Sequence, residues 1–563
     1  MGEEAPHARV GVFALLLLAA VPVLFVALGA NSIWDANEAF YVETPREMIE
    51  RGDFVSPTFN YEPRLNKPIL SYWIVGGFYR LFGISVGVQR LAIAVGAMGI
   101  LAAAYFLGCL AWPAAPVRGA PRIEAGLWAA IGLAVAPRLL MLARRIFIDI
   151  YISLFMSLTL LFFAASERYP ARRRLFLLLM YASIGLGMLT KGPVAVIVPG
   201  LVFAIYLLVH RELKRVGTMM IPTGALVVLA IVVPWYAALY ARDGWTYIVS
   251  FFLGENVDRF TSGLGVQVKR PLYFYIPVVF SDSFPWSLYL VPAAIASWRE
   301  RRSSGADAST RVRTLLWIWI VVIVGFFSLS AGKQDLYIFP IVPAVAALAA
   351  WVVATATTRA NPSAVARTTI GIATALLVLG VALLYLAETA GAAYTIEGVP
   401  AAGGVGVVTG ALTMWLAWRR RIFAAASAVA LAFIAINLVF VFRTLPSFEA
   451  YKPVPGFAET IGRRASASDV VATYDQSMPS LVFYLRRHVD ELFDADQLVD
   501  LWRSGKTIYL VASKEDFEAV TGRLSGAQCV IDRRPTFDVR LRNILAHEAL
   551  PELIVVSNRC GSP

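Results

Sequence analysis

Long apolar runs dominate this sequence and restrict what it can fold into. Thirteen can be marked within residues 1–442, most of them roughly 18–22 residues long with few or no charges, which is the length that crosses a bilayer core as a helix. The runs are 10–29, 89–111, 124–142, 147–165, 173–190, 192–209, 219–240, 271–297, 314–330, 335–355, 367–387, 402–418 and 422–442. We therefore predict an all-α polytopic membrane protein with about thirteen transmembrane helices.

The composition supports the membrane class and excludes others. Hydrophobic residues make up 58% of the chain and charged residues only 16%, whereas soluble proteins carry about 25% charged residues. The net charge of +12, from 50 Lys and Arg against 38 Asp and Glu, does not indicate nucleic-acid binding. The charges lie mostly in short loops between apolar runs, and no separate basic domain or aromatic-basic stripe is present.

The basic residues in the short loops predict the topology, because cytoplasmic loops carry an excess of Lys and Arg. If the N-terminus is cytoplasmic, the basic loops 112–123, 166–172, 210–218, 298–313, 356–366 and 418–421 all lie on the cytoplasmic side. The run at 10–29 is not followed by a small-residue cleavage site, so we interpret it as a retained first helix. We predict a multi-pass protein of the bacterial inner membrane.

Three segments on the opposite side are too long to be simple connectors. Residues 31–88 hold two interfacial stretches, 38–50 and Pro68–Phe82, and residues 241–270 form a second large loop. The tail 443–563 differs in composition, with strand-like runs at 469–475, 507–513 and 553–557 and helix-like segments at 479–487 and 515–524. This alternation predicts a small periplasmic α/β domain after a transmembrane domain of residues 1–442.

The three cysteines give a weaker signal. Cys109 lies in an apolar run, and Cys529 and Cys560 lie in the tail, without any CxxC or Cys/His cluster. A zinc ribbon or a thioredoxin-type motif is therefore excluded. If the tail is exported, Cys529 and Cys560 could pair as a disulfide.

Polar residues cluster on the side predicted to be extracytoplasmic. The cations Arg144, Arg145, Lys191 and Lys333 run against the positive-inside trend, so each needs a compensating partner. A lipid phosphate is suitable, because it supplies negative charge and acceptor oxygens at headgroup depth.

Carboxylates on the same side complete a site for group transfer. Glycosyl transfer from a phosphate donor needs a base for the acceptor hydroxyl and cations for the departing phosphate. Asp35, Glu38 and Asp149 are the candidate catalytic acids. The sequence contains no GxGxxG or P-loop context for a nucleotide sugar, so a lipid-linked donor fits the topology better.

An ordered series of short motifs resembles a known family over about residues 10–440. The series comprises Glu38, Tyr41, Pro45-Arg46-Glu47-Met48, Gly52-Asp53, Pro57, Lys67-Pro68, Tyr72-Trp73, Phe82-Gly83, Arg90, Asp149, Leu189-Thr190-Lys191-Gly192-Pro193, Pro234-Trp235, Glu255-Asn256, Arg259-Phe260, Pro285-Trp286, Ser328, Ser330, Lys333, Tyr337 and Pro340. These residues resemble the lipid A aminoarabinose transferase group, which is related to the protein O-mannosyltransferases and has the multi-span GT-C fold.

The resemblance implies roles for individual residues. The first-loop acid would be the catalytic or acceptor-orienting carboxylate, and Asp149 would face the same cavity. Lys67 and Tyr337 look like the family's carrier-phosphate contacts, and the further candidates for substrate binding are Lys191, Arg259, Lys333, Arg64, Arg144 and Arg145. The resemblance implies transfer of a sugar from undecaprenyl phosphate to lipid A or another envelope glycan.

Two departures from the family pattern affect these expectations. The family has an Asp-Glu pair where this chain has Asn37-Glu38, so Asp35 would have to replace the missing aspartate. Some relatives bind zinc through residues that correspond here to Asn66 and Asn256. The resemblance therefore implies no metal and no other cofactor for this chain.

Other interpretations stay open at this point. A protein O-mannosyltransferase is the alternative within the enzyme class, and a lipid-linked sugar transporter or flippase is an alternative outside it, although no internal repeat is evident. Asp35 and Glu38 could cap helices, and Asp149 could pair with Arg144 or Arg145. Lys67 could be an interfacial lysine whose ammonium reaches the headgroups.

Overall fold

The computed structural model describes residues 6–35, 37–64, 66–113, 120–145, 149–262, 270–303, 307–358, 363–390, 396–537 and 550–560. The α-helices, numbered in chain order, are α1 Pro6–Ala20, α2 Asn37–Arg51, α3 Leu70–Phe82, α4 Val86–Ala111, α5 Ala120–Ala134, α6 Pro137–Arg144, α7 Asp149–Arg168, α8 Arg173–Lys191, α9 Val194–Val209, α10 Ile221–Asp243, α11 Trp245–Val249, α12 Arg259–Thr261, α13 Tyr275–Asp282, α14 Leu290–Ser303, α15 Ala308–Leu329, α16 Val342–Thr358, α17 Ser363–Ala390, α18 Val399–Trp418, α19 Ile422–Val439, α20 Leu445–Ser447, α21 Val454–Arg464, α22 Pro479–Leu485, α23 Ala495–Trp502 and α24 Lys514–Thr521.

Short 3-10 and π-helical segments and two groups of strands complete the described structure. The 3-10 segments are Val21–Leu24, Pro170–Arg172, Leu213–Thr218, Leu272–Phe274, Trp286–Tyr289, Asp335–Ile341 and Phe448–Tyr451, and the π-helical segments are Ser250–Asp258 and Phe440–Thr444. The strands are β1 Thr58–Phe59, β2 Glu62–Pro63, β3 Val470–Tyr474, β4 Asp490–Leu492, β5 Ile508–Ser513, β6 Cys529–Pro535 and β7 Glu552–Ser557.

The predicted all-α membrane architecture is confirmed, but the count of thirteen spans is not. Within the described ranges nine helices are long and apolar enough to cross a membrane, or eleven spans if each of two bent helix pairs counts as one. The expected runs at 10–29 and 192–209 fall on apolar helices of only 10–17 residues. In the first of them a 3-10 turn, Val21–Leu24, directly follows α1, and Pro22 within it lacks the N–H that would continue the α-helical hydrogen bonds.

The helices divide into an inner set and a peripheral set. The span that contains α16 is 89% buried, and the spans of α4 and α7 are 67% and 78% buried. Those of α10, α17 and α18 are only 22–28% buried and turn exposed apolar side chains outward. Because such side chains are favourable in hydrocarbon, the peripheral helices are the ones that lipid would surround.

The first long loop forms a compact layer rather than an irregular connection. The helices α2 and α3 correspond to the two stretches that the sequence predicts as interfacial, and a two-stranded antiparallel hairpin of β1 and β2 lies between them. The helix α3 ends at Gly83, whose φ of +87° is readily adopted only by glycine. This layer carries several side chains into the site described below.

The tail forms the predicted small α/β unit. Its sheet has the strand order β4-β3-β5-β7-β6, in which β3, β4 and β5 are parallel and β7 is antiparallel to both neighbours. Apolar side chains of α21 and α22 cover one face of the sheet, and those of α23 and α24 cover the other. The sequence missed β4 and β6, since β4 is three residues long and three of the seven residues of β6 are charged.

Cys529 at the start of β6 and Cys560 after β7 form a disulfide with a Cα–Cα distance of 5.5 Å. The two strands are neighbours in the sheet, with Cys529 opposite Ser557 in the register. The bond therefore links the two strands at this edge of the tail sheet. The sequence had allowed this pairing without requiring it.

Candidate active site

A cavity of about 670 Å³ lies where the first loop meets α7, the turn between α8 and α9, the Ser250–Asp258 segment and the loop before α16. Its polar lining comprises Tyr41, Arg64, Asn66, Lys67, Asp149, Lys191, Glu255, Asn256, Arg259, Thr261, Ser330, Gln334 and Tyr337. Six of the candidate residues predicted from the sequence therefore meet here: Arg64, Lys67, Asp149, Lys191, Arg259 and Tyr337.

The carboxylate of Glu255 joins two of these cations. The Lys67 Nζ lies 3.0 Å from Glu255 Oε2, and the Arg259 Nη1 lies 2.7 Å from the same oxygen. Glu255 and Arg259 are four residues apart on adjoining helical segments, so they face the same direction, whereas Lys67 reaches them from the first loop. One carboxylate oxygen therefore holds together two cations from distant parts of the chain.

A second ion pair, between Lys191 and Asp149, also lines the cavity. Lys191 donates to the Asp149 carboxylate, and its Nζ lies 5.1 Å from the centre of the Tyr337 ring. Lys191 is placed by the turn at Gly192, which has φ of +85° and where an added Cβ would lie 2.6 Å from the Phe251 ring. Only glycine fits this turn, because a side chain would be strained and would collide with that ring.

Arg64 has an aromatic environment. Its guanidinium lies 4.1 Å from the centre of the Phe40 ring and 5.9 Å from that of Tyr41, and its Nε donates to the Tyr72 hydroxyl at 3.1 Å. No ion pair joins Arg64 to a carboxylate in the described part of the chain. The aromatic rings fix the guanidinium while leaving its charge uncompensated.

The charges give the polar end of the cavity a net positive character. Arg64, Lys67, Lys191 and Arg259 contribute four cations, against the two carboxylates of Asp149 and Glu255, which leaves an excess of two positive charges. Away from these groups the lining becomes apolar, with Ile152, Met156, Ile197, Phe326, Phe327 and Leu336. The cavity therefore suits a ligand with a dianionic head and an apolar chain.

Burial affects the titration of Lys67. Desolvation lowers the pKa of its ammonium from the ordinary value, and the neighbouring carboxylate of Glu255 opposes this shift. Lysine, unlike arginine, changes its pKa readily when buried, so the charge of this group is the part of the site most sensitive to alkaline pH.

The first-loop acids do not line this cavity, contrary to the expectation that one of them faces it together with Asp149. Asp35 accepts hydrogen bonds from the backbone N–H of Ser480 at 2.7 Å and from its hydroxyl at 2.5 Å, so it caps the first turn of α22 in the tail. Glu38 forms a buried ion pair with Arg90 at 2.9 Å. The side chain of Asn37 lies outside the described residues.

Three of the predicted cations also lie elsewhere. Arg144 is buried and donates to the carbonyl oxygens of Val23, Val26 and Ala27, so it caps the turn after α1. Arg145 lies with its guanidinium 5.1 Å from the Trp34 ring centre, in a separate small cavity that Arg144 also lines. Lys333 is buried and donates to the Ser330 carbonyl at 2.6 Å. Backbone carbonyls and an aromatic ring therefore supply the partners that the sequence assigned to a phosphate.

The residues at the positions of the relatives' zinc ligands do not fit that metal. Asn66 and Asn256 are amides, which zinc disfavours compared with His, Cys and carboxylates. Glu255 already pairs with two cations, and the described residues contain no group of three or more His, Cys, Asp or Glu side chains close enough to hold a metal ion. The expectation that the chain uses no metal stays a prediction.

Sequence reasoning assigned no role in the site to two groups of residues, although Glu255, Tyr41 and Tyr72 belong to the motif series. The first is Glu255, which the sequence shows within a charged segment but whose bridging position depends on Lys67, 188 residues away. The second is the aromatic cradle of Phe40, Tyr41 and Tyr72 around Arg64. Aromatic residues are common at membrane interfaces, so their presence in the loop did not indicate a contact with Arg64.

The N-terminal part of the chain matches a known family. Residues 10–247 match the family described as dolichyl-phosphate-mannose-protein mannosyltransferase. The undecaprenyl phosphate-alpha-4-amino-4-deoxy-L-arabinose arabinosyl transferase 1 of Pseudomonas fluorescens (strain Pf0-1) is 31% identical over 343 residues, which is 59% of this chain and 56% of the relative. A transferase of the same name from Pseudomonas aeruginosa (strain LESB58) is 31% identical over 337 residues. The chain thus spans little more than half the length of these curated relatives.

Solved structures extend the likeness to the whole fold. The crystal structure of ArnT from Cupriavidus metallidurans bound to undecaprenyl phosphate aligns with 98% of this chain and 99% of its own, with a TM-score of 0.78 and 23% sequence identity. The apo crystal structure of an oligosaccharyltransferase from Archaeoglobus fulgidus has a TM-score of 0.51 and 13% identity, over 90% of this chain.

Fold and cavity together define a polytopic membrane protein with the multi-span GT-C fold. Apolar helices surround a cavity with a charged end, and a small α/β unit follows them in the chain. Within that class, the arabinosyl transferase relatives confirm the sequence resemblance to the lipid A aminoarabinose transferase group, and the ArnT structure shows the same fold.

Proposed function

We propose that this protein is a glycosyltransferase that moves a sugar from a polyprenyl phosphate carrier, such as undecaprenyl phosphate, to an acceptor of the bacterial envelope. The observation that carries the proposal is the combination of a cationic end and an apolar end in one cavity. A polyprenyl phosphate sugar has the same two parts. Its phosphodiester carries one negative charge and the carrier phosphate released by transfer carries up to two, so the excess of two positive charges fits the leaving group best, while the prenyl chain fits the apolar lining.

The cations would act on the leaving group. When the bond between the anomeric carbon and the phosphate oxygen breaks, negative charge develops on the phosphate. Lys67, Lys191 and Arg259 would stabilise that charge as prepositioned donors, and Arg64 would add a guanidinium with an uncompensated charge. Lys191 pairs with Asp149 in the ligand-free cavity, and a phosphate that attracts Lys191 would release this carboxylate.

Asp149 is the acid that we propose to act on the acceptor. It lines the cavity and it is the only aspartate among the described lining residues, the other acid being Glu255. Once free of Lys191, its carboxylate could accept the proton of an acceptor hydroxyl while the acceptor oxygen attacks the anomeric carbon. Asp35 and Glu38 would then have structural roles, since both have partners outside the cavity.

The sugar and the acceptor are proposed from the relatives. The names of the Pseudomonas relatives specify 4-amino-4-deoxy-L-arabinose carried on undecaprenyl phosphate, so this donor is the first to test. Lipid A is the first acceptor to test, followed by other envelope glycans. A protein acceptor is the second candidate, because residues 10–247 match the mannosyltransferase family.

We further propose that the N-terminus is cytoplasmic and that the cavity and the tail lie outside the cytoplasm. The disulfide between Cys529 and Cys560 supports this orientation, because such bonds persist in oxidising compartments and are rare in the cytosol. The excess of Lys and Arg in the loops of the opposite side supports it independently.

Transfer by the purified protein tests the proposal. Wild type, Lys67→Ala, Asp149→Asn and Glu38→Gln would be incubated with radiolabelled undecaprenyl phosphate sugars and with lipid A, an envelope lipid extract or a protein fraction as acceptor. We expect transfer by wild type, loss of more than about a hundredfold in Asp149→Asn, as for a missing acid–base group, and a similar loss in Lys67→Ala. Carrier binding without turnover, equal in all variants, would contradict the proposal and favour a transporter.

A further inference from the structure

The hairpin of β1 and β2 has an unusual turn. Asn60 and Tyr61, the two central residues, have φ of +57° and +62°. Two consecutive positive φ values define the tight turn that matches the twist of a hairpin, and asparagine tolerates this conformation well. Tyrosine does not, and a left-handed residue other than glycine costs roughly 1 kcal/mol. Contacts with the rest of the protein must offset this cost.

Those contacts come from the tail. The Asn60 side chain donates to the Val489 carbonyl at 2.8 Å and accepts from the Val489 N–H at 2.9 Å. The Asn60 carbonyl oxygen lies 3.0 Å from His488 Nδ1, and the Tyr61 hydroxyl donates to the Arg486 carbonyl at 3.2 Å. Val489 directly precedes β4, the edge strand of the tail sheet. The hairpin tip is therefore hydrogen-bonded to residues directly before the edge strand of the tail sheet.

The base of the same hairpin reaches the cavity. The Arg64 N–H donates to the Pro57 carbonyl at 2.9 Å and closes the hairpin. Phe59 packs against the apolar core of the tail, its ring centre lies 4.7 Å from that of Phe40, and the Arg64 guanidinium lies 5.8 Å from it. The two rings beside Arg64 are thus fixed in part by the tail.

We infer that the tail domain positions Arg64 for the carrier phosphate through the clasp between Asn60 and Val489. The inference rests on the proposed binding of a polyprenyl phosphate in the cavity. Arg64 is held by rings and one hydroxyl rather than by a carboxylate, so its placement depends on the hairpin more than that of the ion-paired cations does. Asn60 is a positioning residue, and the tail affects carrier binding through the hairpin without contacting the carrier.

A binding measurement with a double-mutant cycle tests this inference. The full-length protein in detergent would be titrated with undecaprenyl phosphate, comparing wild type with Asn60→Gly, Arg64→Ala and the double variant. Glycine keeps the positive φ and removes only the clasp. The matched control is Asn558→Gly, because Asn558 makes the same pair of bonds within the tail, from Ile508 N–H at 3.0 Å and to the Lys506 carbonyl at 2.7 Å.

We expect Asn60→Gly to weaken binding about tenfold, from two lost hydrogen bonds that hold the hairpin, and Asn558→Gly to stay within about twofold of wild type. The double variant should bind no more weakly than Arg64→Ala alone, because Asn60 acts through Arg64. Wild-type binding by a folded Asn60→Gly, or additive losses in the cycle, would overturn the inference.

Two further variants separate the possible failures. Asn60→Asp keeps the acceptor for the Val489 N–H, so it should bind with intermediate affinity, and it carries the test if Asn60→Gly does not accumulate. Full binding by a folded Asn60→Asp and by Asn60→Gly would again refute the positioning role. If Arg64→Ala and Lys67→Ala both bind undecaprenyl phosphate as wild type does, the proposed function fails instead, whatever Asn60 does.

Discussion

At the scale of single residues, the sequence predicts both Glu38 and Asp149 as catalytic acids, but the structure gives them different environments. Both were candidates because they are acids on the side of the membrane where the predicted phosphate-binding cations lie. Glu38 is buried against Arg90, which also donates to the carbonyls of Leu28, Asn31 and Ser32. Asp149 lines the cavity beside Lys191. A buried acid with a complete set of partners stabilises the structure, whereas an acid at a cavity wall is available for chemistry.

Substituting these acids should separate the two roles. Glu38→Gln leaves the buried Arg90 without its counter-charge, so we expect the free energy of unfolding to fall by about 3–5 kcal/mol. Asp149→Asn should change stability by less, because its partner Lys191 is partly exposed. Thermal unfolding of the purified variants measures the difference, with Glu459→Gln, which removes an exposed pair with Arg463, as the control. A stable Glu38→Gln that has lost transfer would assign the catalytic role to Glu38 instead.

The titration of Lys67 gives a pH prediction. Burial lowers its pKa from 10.5, so its ammonium loses the proton at a lower pH than an exposed lysine does. Binding of the carrier phosphate needs the charged form, which is present below that pKa and is lost as the pH rises through it. We expect carrier affinity to decrease as the pH rises through the range below 10.5, the ordinary lysine pKa.

Lys67→Arg is the matched variant for this measurement. Arginine stays charged throughout that range, so its affinity should be flat where that of wild type falls. Equal pH dependence in wild type and Lys67→Arg would assign the alkaline loss to another group.

At the scale of elements, the segment Ser250–Asp258 controls the charge of the cavity. Its π-helical winding is rare in proteins and occurs often at functional sites. It carries Glu255, and one oxygen of its carboxylate lies within 3.0 Å of both Lys67 and Arg259. An incoming phosphate therefore competes with Glu255 for the same two cations.

Removing that competitor should increase carrier affinity. Glu255→Gln raises the excess positive charge of the cavity by one, and we expect several-fold tighter binding of undecaprenyl phosphate, of the order of one partly buried charge interaction. Binding should also depend more steeply on ionic strength. Glu397→Gln, which removes an exposed carboxylate paired with Arg443, is the control. Weaker binding in Glu255→Gln would mean that the carboxylate is needed to orient Lys67.

At the scale of the whole molecule, the tail and the first loop are joined by many polar contacts. Asp35 caps α22, the Ile33 N–H donates to the Tyr484 hydroxyl at 2.9 Å, and Glu449 accepts from the Ser32 N–H at 3.0 Å. These contacts lie at the start of the loop that also supplies Arg64 and Lys67. The tail is therefore tied to the loop that forms one wall of the cavity.

The disulfide should contribute to the stability of the tail. Replacing Cys529 and Cys560 by Ser removes a bond that closes 31 residues of chain, and we expect a loss of about 2–4 kcal/mol in the tail. Limited proteolysis and thermal unfolding, with and without reductant, measure this change. The buried Cys109 is outside the bond, so Cys109→Ser should respond to reductant as wild type does. Equal proteolysis of wild type and the double variant would contradict the expected stabilisation.

The sequence predicted the fold class and most candidate cations of the cavity. Apolar length requires membrane helices, and alternating strand and helix patterns in the tail require an α/β unit, since both signals are local. Lys67, Lys191, Arg259 and Tyr337 were found because charges and motifs on the translocated side are uncommon and appear in a recognisable order.

Only the tertiary structure decided which charged groups meet. Arg144, Arg145 and Lys333 are, like Lys67, cations on the predicted extracytoplasmic side. In the structure, however, they contact backbone carbonyl oxygens or a tryptophan ring. Glu255 pairs with Lys67 across 188 residues of chain, and Asn60 is hydrogen-bonded to Val489 across 429 residues. Sequence patterns show whether a side chain is favoured in lipid, in water or in a protein core. They do not show which distant residue a charged side chain contacts, because that depends on how separate parts of the chain pack together.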